Sequence, residues 1–255
     1  GSQRSSDRPS SDAAQNLINA TAAAATGPIA EVMVCMFGPT SDRYNLLHRG
    51  TRVRKMHSSY RSTFRTIGDI PLAMVENRVV TPLQEGYKPR RTDRETKIHA
   101  KFDERVTILY YYPNMQPDII DALVDKGYKG IIIAGTGLGH INRKIYGALE
   151  RAHAAGVLLF MTVQTLWGFV QMNVYETGRE ILGLGVVPLA NMLPEVAYIK
   201  LGWALGMHPD DPHAAEQLMQ QPIAGEITPR EPHDSYLIFQ GGVPEIKDFL
   251  GRVWK

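Results

Sequence analysis

Three apolar runs in the second half of the chain constrain its fold more than any other feature. They are Val106-Thr107-Ile108-Leu109-Tyr110-Tyr111-Tyr112, Gly130-Ile131-Ile132-Ile133-Ala134 and Val157-Leu158-Leu159-Phe160-Met161-Thr162. None alternates apolar with polar residues, so none reads as a strand with one wet face. Between them lie segments with helical spacing. Pro117 opens one whose apolar residues are Ile119, Ile120, Leu123 and Val124, closed by Gly127; a second, over 142–155, is closed by Gly156. Continuous apolar strands alternating with helices predict a parallel sheet covered on both faces. A short helix over 175–182, Val186-Val187-Pro188 and helices over 194–205 and 212–219 complete this half.

The first half reads differently. Ser10-Ser11-Asp12 precedes a run of strong helix formers over 13–25 that stops at Gly27-Pro28, the pattern of a capped helix. Residues 31–37 read as a buried strand and Gly38-Pro39-Thr40-Ser41-Asp42 as a turn. Residues 44–53 are expected to form a hairpin arm around Arg49-Gly50, and 71–82 a strand pair turning near Glu76-Asn77. Residues 84–104 are polar, charged and without apolar period, as expected of an inter-domain linker. Tyr236-Leu237-Ile238-Phe239 is a possible last strand in a Pro-rich tail.

Composition bounds the function classes. Of 255 residues 44% are hydrophobic, enough for a core, and the net charge of +2 gives no global signal for nucleic acid or membrane. The single cysteine, Cys35, excludes a disulfide framework within the chain and favours a reducing compartment. No apolar run approaches the roughly 20 residues of a membrane span, and no signal-peptide core is evident at the start. A cytoplasmic protein is expected.

Four segments could carry chemistry. From Arg49 to Arg65 the chain holds five Arg, the one lysine Lys55, and no Asp or Glu, with Ser58-Ser59 close behind. Like charge pushes a lysine toward its neutral form, a condition for handling protons; a basic surface loop is the alternative. Gly135-Thr136-Gly137-Leu138-Gly139-His140 joins a strand to a helix, at the carboxyl edge where α/β proteins bind ligands. Its spacing is not G-x-G-x-x-G and no acidic residue ends the next strand, so a dinucleotide is excluded. A tight packing turn and a ligand loop both remain open there. Glu176, in Tyr175-Glu176-Thr177-Gly178-Arg179, either compensates a helix dipole or serves a site. Arg90, Arg91 and Arg94 form a solvated cluster or a phosphate contact. His140, His153 and His208 lack metal-ligand spacing, and neither a G-x-S-x-G elbow nor a P-loop occurs. No metal is expected.

Three separated segments resemble the L-asparaginase family: the opening Gly1-Ser2-Gln3-Arg4 with 9–17, Thr51-Arg52-Val53-Arg54-Lys55, and residues 130–140. More narrowly, Val53-Arg54-Lys55-Met56-His57-Ser58-Ser59, Trp167-Gly168 with the run 172–179, and the run 192–206 are similar to the asparaginase-like D subunits of archaeal-type glutamyl-tRNA(Gln) amidotransferases. The resemblance implies an α/β chain: the remainder of an asparaginase-type amino-terminal α/β domain over 1–83, a linker over 84–104, a smaller flavodoxin- or Rossmann-like parallel-sheet domain over 105–225, and an extension over 226–255. It implies an amidase that releases ammonia from glutamine or asparagine for conversion of Glu-tRNA(Gln) to Gln-tRNA(Gln). The partner would be the E subunit of the amidotransferase, which uses ATP and Mg; no cofactor is expected in this chain itself. A homodimer at the core of a heterotetramer is expected. Lys55 matches the family's catalytic proton-relay lysine, and His140 and Glu176 match substrate-binding positions contributed across a subunit interface. The family's Thr-Gly-Gly-Thr loop and Thr-Asp pair match nothing in these residues. The chain is therefore expected to be a carboxyl-terminal portion with little amidase activity alone. A stand-alone L-asparaginase and a catalytically dead binding remnant are the competing expectations.

Overall fold

The computed structural model describes residues 1–38, 42–60, 63–93, 95–232 and 235–236. The chain forms two compact units, Gly1–Glu95 with Arg230–Lys255, and Thr96–Pro229.

In the first unit, helix α1 (Ala13–Thr26) covers an antiparallel sheet of β1 (Met33–Phe37), β2 (Tyr44–Arg49), β5 (Ala73–Glu76) and β6 (Val79–Pro82), in the order β1-β2-β5-β6. Ala23, Ile29, Leu47, Leu72, Ala73 and Val75 form its apolar core. A polar seam crosses the helix–sheet interface: Asn45 donates to Asn16 Oδ1 at 2.5 Å and Asn19 donates to Asn45 Oδ1 at 2.6 Å. These two bonds chain the three buried amides together and fix the helix register on β2. β5 and β6 turn through Asn77 and Arg78, both at positive φ, the conformation a two-residue hairpin demands.

Three local expectations are corrected. Asp12 is not a cap: its carboxylate accepts from the backbone N–H groups of Gln3 and Arg4 and from the Asn16 amide. Burial would push that carboxyl up, but these donors outweigh it and hold it below the usual range. The Ser11 hydroxyl accepts from Ala13 N–H instead. The hairpin around Arg49-Gly50 does not form either. β2 ends at Arg49, and the next strand, β3 (Val53–Lys55), pairs with β4 (Phe64–Thr66) in a separate two-stranded ribbon. Arg49 anchors the turn, pairing with Glu31 at 2.7 Å and Asp69 at 3.2 Å and donating to Gly86 O at 2.7 Å. Finally, Arg90 is exposed but committed to the protein rather than to a phosphate. It donates to the carbonyls of Ala24 and Ala25, capping the carboxyl end of α1. Arg91 pairs with Asp93 in solvent, and Arg94 lies outside the described residues. So do Pro39, Thr40 and Ser41 of the expected turn and 237–239 of the possible last strand.

The second unit is the parallel sheet. β7 (Val106–Tyr110), β8 (Gly130–Gly135), β9 (Leu158–Val163) and β10 (Val186–Pro188) lie side by side in chain order, all parallel. The crossover helices α2 (Asp118–Asp125), α3 (Tyr146–Ala154) and α4 (Glu176–Gly183) line one face. A 3-10 turn, Arg143–Ile145, leads into α3. Helices α5 (Pro194–Met207) and α6 (Pro212–Gln220) follow the last strand and cover the opposite face. The central strands show why the sequence had no alternation. Ile131, Ile133, Leu159 and Met161 enter one core while Ile132 and Phe160 enter the other.

The polar run 84–104 is tied down at several points rather than free. Residues 88–90 bond to 28–30 in the first unit. In the second, Asp103 N–H donates to Gly202 O at 2.9 Å and Trp203 Nε1 donates to His99 O at 2.8 Å. Glu226, at the head of the expected extension, is buried in the second unit against Lys200.

Candidate active site

Lys55 closes strand β3, exposed and directly opposite Phe64. Alternation along the ribbon puts Val53 and Lys55 on one face and Arg54, opposite Arg65, on the other. The arginine crowd of the sequence is therefore split. Arg54 and Arg65 face away from the lysine, Arg52 is fully buried, Arg49 is paired with two carboxylates, and Arg61 lies outside the described residues. Burial draws the Arg65 guanidinium below its ordinary value. The loop after Lys55 is organised by His57. Its Nδ1 accepts from the N–H groups of Ser59 and Tyr60 at 3.1 and 2.9 Å, while Thr63 Oγ1 accepts from His57 N–H at 2.7 Å. The hydroxyl pair Ser58-Ser59 is held by this loop in solvent.

The second unit assembles His140 and Glu176 on one side, at the carboxyl edge of the sheet. The Gly-rich segment closes on itself: Thr136 N–H donates to His140 O, and the N–H groups of Gly139 and His140 both donate to Thr136 O. Three loop N–H groups are thus consumed internally rather than aimed at a ligand, which favours the packing-turn reading. Gly139 is required twice over, by its φ of 103° and because a Cβ would lie 3.0 Å from Met161 and from Val170. The loop also receives Gln171 N–H on Leu138 O, which docks the segment leading to α4.

Glu176 opens α4 with its side chain 78% exposed. The residues on both sides of it touch His140. Thr177 Oγ1 lies 3.2 Å from His140 Nδ1, and the Tyr175 ring meets the imidazole edge-on at 5.3 Å. Arg143, from the 3-10 turn, is held bidentately by Glu180 at 2.7 and 2.8 Å and reaches Glu176 at 3.8 Å. Glu180 lies below the usual carboxylate range because Arg143 donates to it. Gly178 lets the backbone pack here, since a Cβ would lie 2.1 Å from Met172 O. Arrayed this way, Glu176 is a solvent-facing carboxylate with fixed flanks, suited to an ammonium group by charge and hydrogen bonding. Thr177, Tyr175 and Arg143 were not singled out in the sequence; proximity to Glu176 in the chain was the only signal for the first two. Among the described residues no group of three or more His, Cys, Asp or Glu lies together as a metal site. No helix among them is long and apolar enough to cross a membrane.

A helix-covered antiparallel sheet in one unit and a four-stranded parallel sheet in the other are the architecture of asparaginase-type α/β proteins. The chain belongs to the glutaminase/asparaginase family: the Asparaginase, N-terminal model matches residues 1–86 and the Glutaminase/Asparaginase C-terminal domain model matches 105–219. Within the family it is similar to the D subunit of glutamyl-tRNA(Gln) amidotransferase from Thermococcus kodakarensis, 52% identical over 238 residues, 93% of this chain and 53% of that one. The D subunit from Pyrococcus abyssi is 50% identical over 238 residues, 93% and 54% of the two chains. The chain thus spans about half the length of the curated relatives it matches. Among solved structures, the thermostable L-asparaginase from Thermococcus kodakarensis superposes with a TM-score of 0.75 at 31% identity, covering 89% of this chain and 66% of that one. L-asparaginase I from Vibrio cholerae gives 0.73 at 26% identity over the same shares.

Proposed function

We propose that this chain carries the lysine and substrate-recognition parts of an amidase that releases ammonia from glutamine or asparagine for a tRNA-dependent amidotransferase. The observation that carries this reading is the identity to D subunits, 52% over 93% of the chain, against 31% to the superposed asparaginase. In the reaction, a hydroxyl attacks the side-chain amide, ammonia leaves, and water later cleaves the ester. Lys55 serves the proton relay that activates the hydroxyl. The Thr-Gly-Gly-Thr motif expected to supply that hydroxyl does not occur in this sequence. Glu176 receives the α-ammonium of the amino-acid amide, with His140 at its flank. An ATP-using partner, the E subunit, activates the tRNA-bound glutamate and takes up the ammonia, in a complex built on a homodimer and located in the cytoplasm.

The test is ammonia release from glutamine by the complete polypeptide, copurified with its partner, with and without Glu-tRNA(Gln). The reading expects release to depend on the partner and to yield Gln-tRNA(Gln) in the presence of ATP. Equal release from asparagine with no partner and no tRNA would instead establish a stand-alone L-asparaginase, the reading that the asparaginase superpositions favour.

A further inference from the structure

His140 occupies a position expected to touch substrate, yet one of its ring nitrogens is already engaged and the other is shielded from solvent. Nδ1 is engaged with Thr177 Oγ1 at 3.2 Å. Nε2 is buried and meets no hydrogen-bond partner among the described residues. With Nδ1 committed to Thr177 and Nε2 shielded from solvent, the imidazole turns its engaged edge toward the protein. What it does touch is the first turn of α4, on both sides of Glu176: the Thr177 hydroxyl and the Tyr175 ring, the latter at an interplanar angle of 67°. Its own backbone is pinned in turn by the two bonds to Thr136.

We infer that His140 and Thr177 form a positioning pair that aims the Glu176 carboxylate, and that His140 is not itself a substrate ligand. Rigidity passes outward from the sheet. The Gly-rich loop is closed by Thr136 and packed by Gly139 against Met161 and Val170, so the imidazole is carried on a loop held by its own backbone hydrogen bonds and close packing. Gly178 seats the same turn of α4 against Met172 O. Between these anchors, the hydroxyl–imidazole contact is the side-chain hydrogen bond that links the loop to the residue next to Glu176. On the outer side, Arg143, held by Glu180, limits the carboxylate's swing at 3.8 Å. A carboxylate that is 78% exposed would otherwise sample several rotamers, and binding would have to select one of them.

The inference rests on the reading of Glu176 as the ammonium site, and the test separates the two. In the complete polypeptide, Thr177→Val removes the hydroxyl without changing shape, Thr177→Ser retains it, and His140→Leu removes the ring's nitrogens. The hydrogen bond of a positioning pair corresponds to roughly a five- to tenfold rise in KM with kcat nearly kept. We expect that rise for Thr177→Val and for His140→Leu, no further rise when the two are combined, and near wild-type KM for Thr177→Ser. A silent Thr177→Val beside an impaired His140→Leu, or effects that multiply in the double variant, would make His140 a substrate ligand and overturn the inference. A second measurement needs no turnover: the imidazole nitrogen resonances of His140 and hydrogen exchange at the amides of 176–178. The pair predicts that Thr177→Val shifts the Nδ1 resonance and speeds exchange at those amides several-fold. Unchanged resonances and exchange would refute the pair even if amidase activity is found, whereas absent activity with shifted resonances would count against the ammonium reading alone.

Discussion

Lys200 and Glu226 offer the sharpest energetic test of the second unit. Lys200 is 7% exposed on α5, and its three ammonium donors meet three acceptors: Glu226 Oε1 at 2.6 Å, Gln221 O at 2.5 Å and Met219 O at 3.1 Å. Glu226 accepts in addition from Ile223 N–H and Ala224 N–H. Burial pushes both groups toward their neutral forms. At Glu226 the ammonium and the backbone N–H groups outweigh it and hold the carboxyl below the usual range. The pair is thereby a clamp: it ties α5 to the end of α6 and to the returning segment 221–226, closing the core around Leu201, Ala204 and Met219. Lys200→Met would strand a buried carboxylate, a loss of about 3–5 kcal/mol for breaking a buried pair on one side. Glu226→Gln keeps the shape but sets an amide N–H₂ among donors, at a cost of about 2–3 kcal/mol. In the double variant neither charge remains, so the losses should fall short of their sum by about 2 kcal/mol. Urea titration followed by circular dichroism reads these values directly, and the Lys200→Met melting temperature should drop by about 10 °C. Single losses below about 0.5 kcal/mol, or strict additivity, would show that the clamp does not hold this face together.

Other expectations follow from particular residues. His48, 2% exposed in β2 with Nδ1 2.9 Å from Thr66 Oγ1, is pushed down to about 3 by burial, with the Arg65 charge adding to it. The unfolded chain, titrating near 6.5, binds one proton more than the folded one between those values, so stability is full above about pH 6.5 and falls on acidification, by about 2 kcal/mol at pH 5. His48→Gln should flatten denaturation midpoints between pH 7 and 5; a slope unchanged by the substitution would place the titrating group elsewhere. Gly178→Ala forces a Cβ onto Met172 O and should destabilise the second unit by about 2 kcal/mol or more while displacing Glu176, seen as a lowered midpoint together with a raised KM. Glu176→Gln should raise KM for glutamine far more than for an analogue lacking the α-amino group; equal effects on both would remove Glu176 from ammonium recognition.

Where the sequence was legible, a single physical demand ruled each position. β8 and β9 are buried on both faces, so nearly every residue is apolar, Thr162 with its hydroxyl on Ile133 O being the exception, and the runs could be read off directly. Helices α5 and α6 were marked by proline in the first turn. Legibility failed where polar residues do structural work. Asn16, Asn19 and Asn45 carried no signal in the sequence, yet they form the seam between α1 and its sheet. Arg49 and Arg90 counted toward basic clusters, although one is a buried hub for Glu31 and Asp69 and the other a helix cap. The ribbon β3–β4 was hidden because strands of three residues have too little pattern to show a period. At the candidate site, Lys55, His140 and Glu176 were singled out by their match to the family's positions. The contact from Thr177 to His140 spans 37 residues, and no local pattern in one sequence reports a partner so far away.

Lys55 provides the most direct test of the proposed chemistry. Ammonia release from glutamine and asparagine should be measured in the complete polypeptide, wild type against Lys55→Ala, with circular dichroism to confirm that both fold. A relay lysine predicts that turnover falls by about 10²- to 10⁴-fold while the fold is kept. Turnover unchanged in a folded Lys55→Ala protein would contradict the relay, leaving Lys55 as an exposed residue at the end of a short ribbon.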